Sequence, residues 1–553
     1  MGRSAAAVRR LGSLAFALAM AIGTALAATQ PALAQAPSAA PVAKRVMHPA
    51  PPRRTNEGLG PYRKLVIRGV TLIDGTGAPP RGPVDIVIEG DKITDVIQAG
   101  WPGLPLKSNR APLDADKEID ATGMYALPGF VDLHVHGGDP VKSPDLEYAY
   151  KLWLAHGVTT VRGVSLAPHD IAVSEKARSA RGEIVAPRIY NYQTLGSGWS
   201  GGRIDGPAKA RAWVQWAAKN GVDGIKFFAL MDETPEVMTA AIDEAKKLGL
   251  GTVAHISPPG VAGMNARQMG DAGLGTVTHF YGHFESMLKA GRLQKFPNDY
   301  NFYDEAKRFG EAAEIWDEVE PGSPEWVAYL EAQKAHHVDF DPTMTIYAAS
   351  RDLMRAKNAD WHSIYTLPSL RDYFVSTRDN HGSYFYDWTT GNEVAWRNFY
   401  ARFMRLVNDY KNMGGRVSTG SDSGFIWKLY GFGYIEELEL LQEAGFTPLE
   451  VIQAATSNGA RTLADPKGEV PSFGIVKPGM SADLVIVPEN PLANFKTLYG
   501  TGHERLSADN KVERVGGVKW TVTRGVAYDA HALLADVKAM VDKQKAERAA
   551  TGK

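Results

Sequence analysis

The chain has no cysteine in 553 residues. Disulfides, thiolate metal ligands, a cysteine nucleophile and a lipidated N-terminal cysteine are therefore excluded together. Any metal must be held by nitrogen and oxygen. Net charge is nearly absent as well: 61 Lys and Arg face 62 Asp and Glu, leaving −1. That balance gives no electrostatic basis for binding nucleic acid or an anionic membrane. Internal repeats of short period are missing. What remains, 44% hydrophobic and 22% charged residues, is ordinary for a soluble globular protein. The length suits one large domain with a smaller companion.

The N-terminus reads as a targeting segment. Arg3, Arg9 and Arg10 precede an apolar, alanine-rich run from Leu11 to Ala28, and Ala25-Leu26-Ala27 and Ala32-Leu33-Ala34 both resemble signal-peptidase sites. Residues 1–34 are expected to be a cleaved signal peptide rather than a retained anchor. The mature protein is then periplasmic or secreted, with no stable membrane anchor. Residues 35–63, rich in Pro, Ala and Arg, are expected to form a disordered linker.

Two β-rich stretches flank a different middle. Residues 64–126 hold LVIRGVTLID, DIVIEG and DKITDVIQAG, and residues 466–530 hold SADLVIVPE and VKWTVTRGVAYD. Apolar residues cluster or alternate between Gly and Asp turns in both, which suggests one small β-sandwich assembled from the two ends. Residues 531–553 read as a C-terminal helix or tail. Residues 127–465 alternate strands with helices. The expected strands are Phe130–Val135, Thr159–Val164, Arg188–Tyr192, Gly224–Phe228, Gly251–Ile256, Thr276–Phe280, Asp339–Ile346 and Arg416–Thr419. Eight such strands suit an α/β fold, a TIM-like (β/α)8 barrel. Two long intervals, about 281–338 and 347–415, are expected to be lid insertions at its C-terminal face. Their tryptophans and tyrosines serve either an apolar substrate pocket or the insertions' own core.

The chemistry gathers around PGFVDLHVHGG, Pro128 to Gly138. On a strand, residues i and i+2 face the same way, so His134 and His136 aim at one point. Alone, the pair is open between a metal site and two polar residues at a strand end. Further candidates stand at later strand ends: Lys226 in GVDGIKFF, His255 in GTVAHIS, His279 in GTVTHFYGH and Asp422 in STGSDSG. A lysine between Ile225 and Phe227 either snorkels outward or has a reason to be inside. Together these groups lie at the end of the barrel where active sites collect. Four histidines and a carboxylate could hold two divalent cations. A lysine carbamate would supply the anionic bridge, and its formation needs an amine whose pKa burial has lowered.

At this point the sequence resembles the amidohydrolase superfamily, in its two-metal branch. PGFVDLHVH, GVDGIKFF, VAHI, VTHF and STGSDSG stand in that family's order. LAHGVTTVRG is similar to the imidazolonepropionase-like and Xaa-Pro dipeptidase-like group, although Gly163 stands where an acidic residue is common. The resemblance implies two divalent metal ions, zinc being expected, with His134, His136 and Asp422 on one and His255 and His279 on the other. It further implies a carbon dioxide-derived carbamate on Lys226 as the bridge, and attack by a hydroxide held between the metals. Asp422 would be both ligand and proton shuttle. Tyr281, His283 and Tyr347 are candidate substrate contacts. The implied activity is hydrolysis of an amide bond in a small-molecule or dipeptide substrate, such as an N-acyl amino acid. Hydrolysis of a lactone, ester or organophosphate on the same ligands, or a non-catalytic binding role on a hydrolase scaffold, are the alternatives. No nucleic acid partner is implied, and a homo-oligomer is left open.

Overall fold

A computed structural model describes residues 46–107, 110, 113–230, 232–289, 309–310, 312–314, 316–377 and 382–552. The expected signal peptide lies outside the described residues. No described helix is long and apolar enough to cross a membrane.

The N-terminal part supplies β1 (Lys64–Leu72), β2 (Arg81–Glu89), β3 (Lys92–Gln98), β4 (Lys117–Asp120) and β5 (Tyr125–Pro128). The barrel strands are β6 (Phe130–Val135), β7 (Val158–Val164), β8 (Arg188–Thr194), β9 (Gly224–Phe227), β10 (Gly251–His255), β11 (Thr276–Thr278) and β12 (Asp339–Asp341). After the barrel come β13 (Leu484–Val487), a separate hairpin of β14 (His503–Leu506) and β15 (Val512–Val515), then β16 (Trp520–Thr523) and β17 (Val526–Asp529).

Strands β6 to β12 form a parallel sheet in chain order. Their mostly buried patterns are those of strands covered on both faces. The eighth position is filled by Arg416–Thr419, which bonds to both edges without becoming a full strand. Phe340 N donates to Arg416 O at 3.0 Å, Ser418 N to Phe340 O at 3.0 Å, and Leu133 N to Thr419 O at 2.9 Å. The seventh strand is shorter than expected, three residues instead of eight. Pro342 has no N–H to continue the ladder, Thr343 turns to φ 45°, and the helix Met344–Arg351 follows.

Helices between strands start and stop where local chemistry requires. Thr234 Oγ1 accepts from Val237 N, Pro235 opens the helix Pro235–Leu248, and Gly249 closes it at φ 68°. The two long intervals are only partly cover. The helix Pro324–Ala335 packs beside Ala266–Asp271. The helix Thr390–Asn412 lies against β12, with Tyr410 stacked on Phe340 at 3.8 Å and its hydroxyl donating to Val338 O at 2.5 Å. Several of the described aromatics counted toward a lid fill this packing. Trp316, Trp326 and Trp396 are fully buried, and Phe280, Phe399 and Phe403 join them.

Both chain ends contribute to one mixed sheet rather than two facing sheets, in the order β17-β16-β13-β5-β1-β2-β3, with β4 on β1. Register shifts within the β1–β2 and β2–β3 pairings bend it. It rolls until Ile93 N reaches Met480 O at 2.9 Å and Ala482 N reaches Asp91 O at 2.8 Å. Leu65, Ile67, Ile86, Ile486 and Val522 fill the inside of the roll.

From Val46 the expected linker is instead bound to the body. Ala50 N donates to Glu175 at 3.1 Å, Arg53 N to Glu183 O at 2.8 Å, and Leu59 pairs with Ala527. Lys151 closes this region: its buried ammonium meets Glu57 at 2.8 Å, Glu147 at 2.7 Å and Asp536 at 2.6 Å. These carboxylates come from the N-terminal segment, the helix Leu146–Ala155 and the C-terminal helix Ala530–Thr551. Apolar periodicity cannot report a segment held by backbone hydrogen bonds and one cation.

Three histidines away from the barrel mouth each contribute stability that acid removes. Burial holds His156 down to about 4, His283 to about 3 and His362 to about 4. Folded, each stays neutral; unfolded, each takes a proton below about 6.5. Their stabilisation is complete above pH 6.5 and drains as pH falls toward 4, at about 1.4 kcal/mol per histidine per pH unit. Carboxyls that burial holds above their ordinary values, Asp132, Glu233, Asp339 and Asp341, act in the opposite direction over this range. The histidine share is therefore read by difference: the stability lost on His362→Gln should shrink as pH falls from 6.5 to 4, and a pH-independent loss would contradict this environment.

Candidate active site

The site is built from strand ends. His134 ends the inward row of β6, and His136 follows one residue past the strand, with ring centroids 5.7 Å apart. Lys226, on β9, is only 1% exposed, and its Nζ lies 3.3 Å from His134 Nε2. His255 is the last residue of β10. His279 stands just beyond β11, its ring 4.5 Å from that of His255 and 4.8 Å from that of His134. Asp422 follows the eighth segment. Its Oδ1 is 3.3 Å from His136 Nε2 and 3.8 Å from His134 Nε2, and its Oδ2 is 3.9 Å from His279 Nε2. The structure thus brings all six predicted metal-site residues to one rim.

This donor set fits a cation. Ligand atoms of His134, His279 and Asp422 lie within 4.8 Å of one another. Two donors at about 2.1 Å from one ion, at a tetrahedral angle, are themselves about 3.4 Å apart. The observed 3.3 to 3.9 Å separations are of that size, and the longer two exceed hydrogen-bond range. Protonation favours the same use. Burial, with the charge of Lys226 adding to it, holds His134 well below its ordinary value and keeps it neutral. Burial works to raise Asp422, yet hydrogen bonding to His136 and the surrounding positive charges hold it below the usual carboxylate range. Burial lowers Lys226 to about 7.

The residues behind the ligands are held tightly. Thr343 Oγ1 lies 2.5 Å from His279 Nδ1, which leaves Nε2 for the site. Asp132 accepts from Ser421 N at 2.9 Å, Ser421 Oγ at 2.6 Å and His134 N at 3.1 Å, joining the first strand to the Asp422 loop. Arg162, fully buried on β7, donates to Leu133 O at 2.6 Å, Thr276 Oγ1 at 3.0 Å and Asp341 Oδ2 at 3.1 Å. Asp341 Oδ2 lies 3.6 Å from His134 Nδ1. A Cβ on Gly420 would collide with both Asp341 and His134. Glu233, half-buried and raised to about 7, accepts from Phe228 N at 2.7 Å and Ala229 N at 2.6 Å and fixes the loop after Lys226.

Sequence reading passed over Arg162, Asp341 and Glu233. The signal that marked Lys226, one charge inside an apolar strand, was also present in TTVRGV.

A model of the amidohydrolase family matches residues 125–506. The chain belongs to the amidohydrolase family. Among curated relatives, an adenine deaminase from Bacillus velezensis is 36% identical over 98 residues, 17% of this chain and 16% of the deaminase. An N-acyl-D-aspartate deacylase from Alcaligenes xylosoxydans xylosoxydans is 34% identical over 106 residues, 19% of each chain. These matches span less than a fifth of either relative. A solved Xaa-Pro dipeptidase with bound methionine is similar over 84% of this chain and 100% of its own, with TM-score 0.56 and 18% identity, a likeness of fold.

Within this amidohydrolase, the expected substrate contacts divide. Tyr281 lies 5.5 Å from the ring of His255, and Tyr347 lies 5.6 Å from that of His279. Tyr347 sits on the helix Met344–Arg351 rather than at a strand end. His283 is not a mouth residue. Its Nδ1 is 2.6 Å from the Tyr329 hydroxyl and its ring packs on Phe340 at 4.6 Å, so the loop after β11 carries it into the layer behind the barrel wall.

Asp341→Asn should destabilise the protein by about 3 kcal/mol or more, since it leaves a buried guanidinium without its carboxylate. An unchanged denaturation midpoint would show that Arg162 does not need this partner.

Proposed function

We propose that this chain is an exported metal-dependent amidohydrolase that cleaves the amide bond of a dipeptide or N-acyl amino acid. One observation carries the reading: four imidazoles, Lys226 and Asp422 converge at the C-terminal rim of the barrel. The N-terminal run with its two signal-peptidase-like sites supports export, and the deacylase and dipeptidase likenesses support an amide substrate.

His134, His136 and Asp422 would hold one divalent cation, zinc by preference for this donor set, and His255 and His279 a second. When bound, such a pair supplies Lewis acidity toward the scissile carbonyl and lowers the pKa of an attacking water. Lys226 is suited to bridge them. Its amine, lowered by burial to about 7, is substantially neutral at physiological pH. It adds to carbon dioxide with loss of one proton, and the resulting carbamate presents two oxygens where one nitrogen stood. Asp422 takes the proton released by the attacking water and delivers it to the leaving nitrogen. Its low pKa keeps it ionised for the first transfer. Tyr281 and Tyr347, beside the ligand histidines, are placed to donate toward the oxyanion.

Metal-loaded protein should contain close to two divalent ions per chain. Lys226→Ala should lose metal and activity together, with partial recovery when short carboxylates are added; an unaltered variant removes the carbamate. Asp422→Asn should lower kcat by about 100-fold or more while changing KM little. A panel of chromogenic amides and esters measures the reaction class, and turnover confined to esters would overturn the amide reading.

A further inference from the structure

Among the described residues, four lysines are taken out of water: Lys142, Lys151, Lys226 and Lys428. Three are answered. Lys151 has three carboxylates, Lys428 has Glu436 at 2.6 Å, and Lys226 faces the metal-site cluster. Lys142 is 4% exposed, and among the described residues no carboxylate forms an ion pair or hydrogen bond with it. Its Nζ donates to Gly424 O at 3.1 Å. It also lies 3.3 Å from the ring centroid of Phe425 and 4.7 Å from that of Tyr373. Asp139 and Asp422 reach it only through their field.

Its position is informative. Lys142 belongs to the loop that leaves β6 after His136, and Gly424 is two residues past Asp422. Phe425 meets the ring of His136 edge-on at 5.9 Å. The ammonium therefore sits on the His136–Asp422 side of the rim. A staple between two loops would need only a neutral donor. A buried charge costs several kcal/mol unless a counter-charge completes it, and two aromatic faces return only part of that.

Resting on the amide-hydrolase reading of this site, we propose that Lys142 receives an anionic group of the substrate: the carboxylate of the N-acyl amino acid or dipeptide, on its leaving-group side. The bound anion completes the ion pair that the chain itself leaves open, with Phe425 and Tyr373 screening it from water.

The test compares an N-acyl amino acid with its carboxamide in the metal-loaded wild type, Lys142→Met and Lys142→Arg. The acid-to-amide ratio of kcat/KM does not depend on the fraction of folded protein. We expect the wild type to favour the acid by about 100-fold, mostly through KM, the methionine variant to bring the ratio near one, and arginine to restore a good part of it. A wild-type ratio near one, a preference that survives in Lys142→Met, or equal losses on both substrates would overturn the assignment. If the wild type turns over neither compound, the amide reading fails by itself. Calorimetric binding of a free amino acid and its amide then decides the anion site. Tighter binding of the acid that disappears in Lys142→Met sustains it, and equal binding overturns it.

Discussion

The guanidinium of Arg162 is the contact on which the rest of the barrel interior depends. It crosses the ring to reach β6 through Leu133, β11 through Thr276 and β12 through Asp341. A fully buried cation of this kind is tolerable only when each donor direction finds an acceptor. Asp341 meets that need and in turn stands beside His134. Gly420 is glycine because the two side chains leave no room for a Cβ. One ion pair thus links strand spacing to the direction of the first imidazole, and the small residues around Asp422 follow from it.

Backbone conformation at the rim points the same way. His279, Thr343 and Asp422 all adopt positive φ, at 66°, 45° and 47°. Left-handed geometry disfavours residues with a Cβ, by about 1–3 kcal/mol at each position. Here it turns each side chain sharply at the end of its strand: two toward the cluster and one toward the Nδ1 of His279. Local strain at three neighbouring positions, compensated by the packed barrel below, is how a functional rim differs from an ordinary strand terminus.

The positions of His134, His136, Lys226, His255, His279 and Asp422 were legible because a period of two fixes which strand residues face inward, and because polar residues interrupt apolar runs at those ends. The rest was hidden for definable reasons. Pro342 shortens a strand that composition alone extends to Ile346. Arg416–Thr419 closes the ring through a few hydrogen bonds rather than by a ladder that periodicity would reveal. Among the described residues, Trp326, Trp396, Phe399 and Phe403 of the long intervals belong to helices packed on the wall, and a tryptophan's target is invisible in sequence. His283 lies four residues beyond His279, yet the loop turns it away. The rolled sheet needed bulge positions that β-propensity does not mark.

Lys151 has a further consequence for how the flanking segments depend on each other. Its three carboxylates come from the N-terminal segment, its own helix and the helix Ala530–Thr551, and β5 pairs with β13 across most of the chain. Without the helix Ala530–Thr551 the buried lysine would keep an incomplete cage, and without β13 the N-terminal strands would keep an open edge. The two flanks of the barrel therefore share one anchor, and loosening either strips charge compensation from the other.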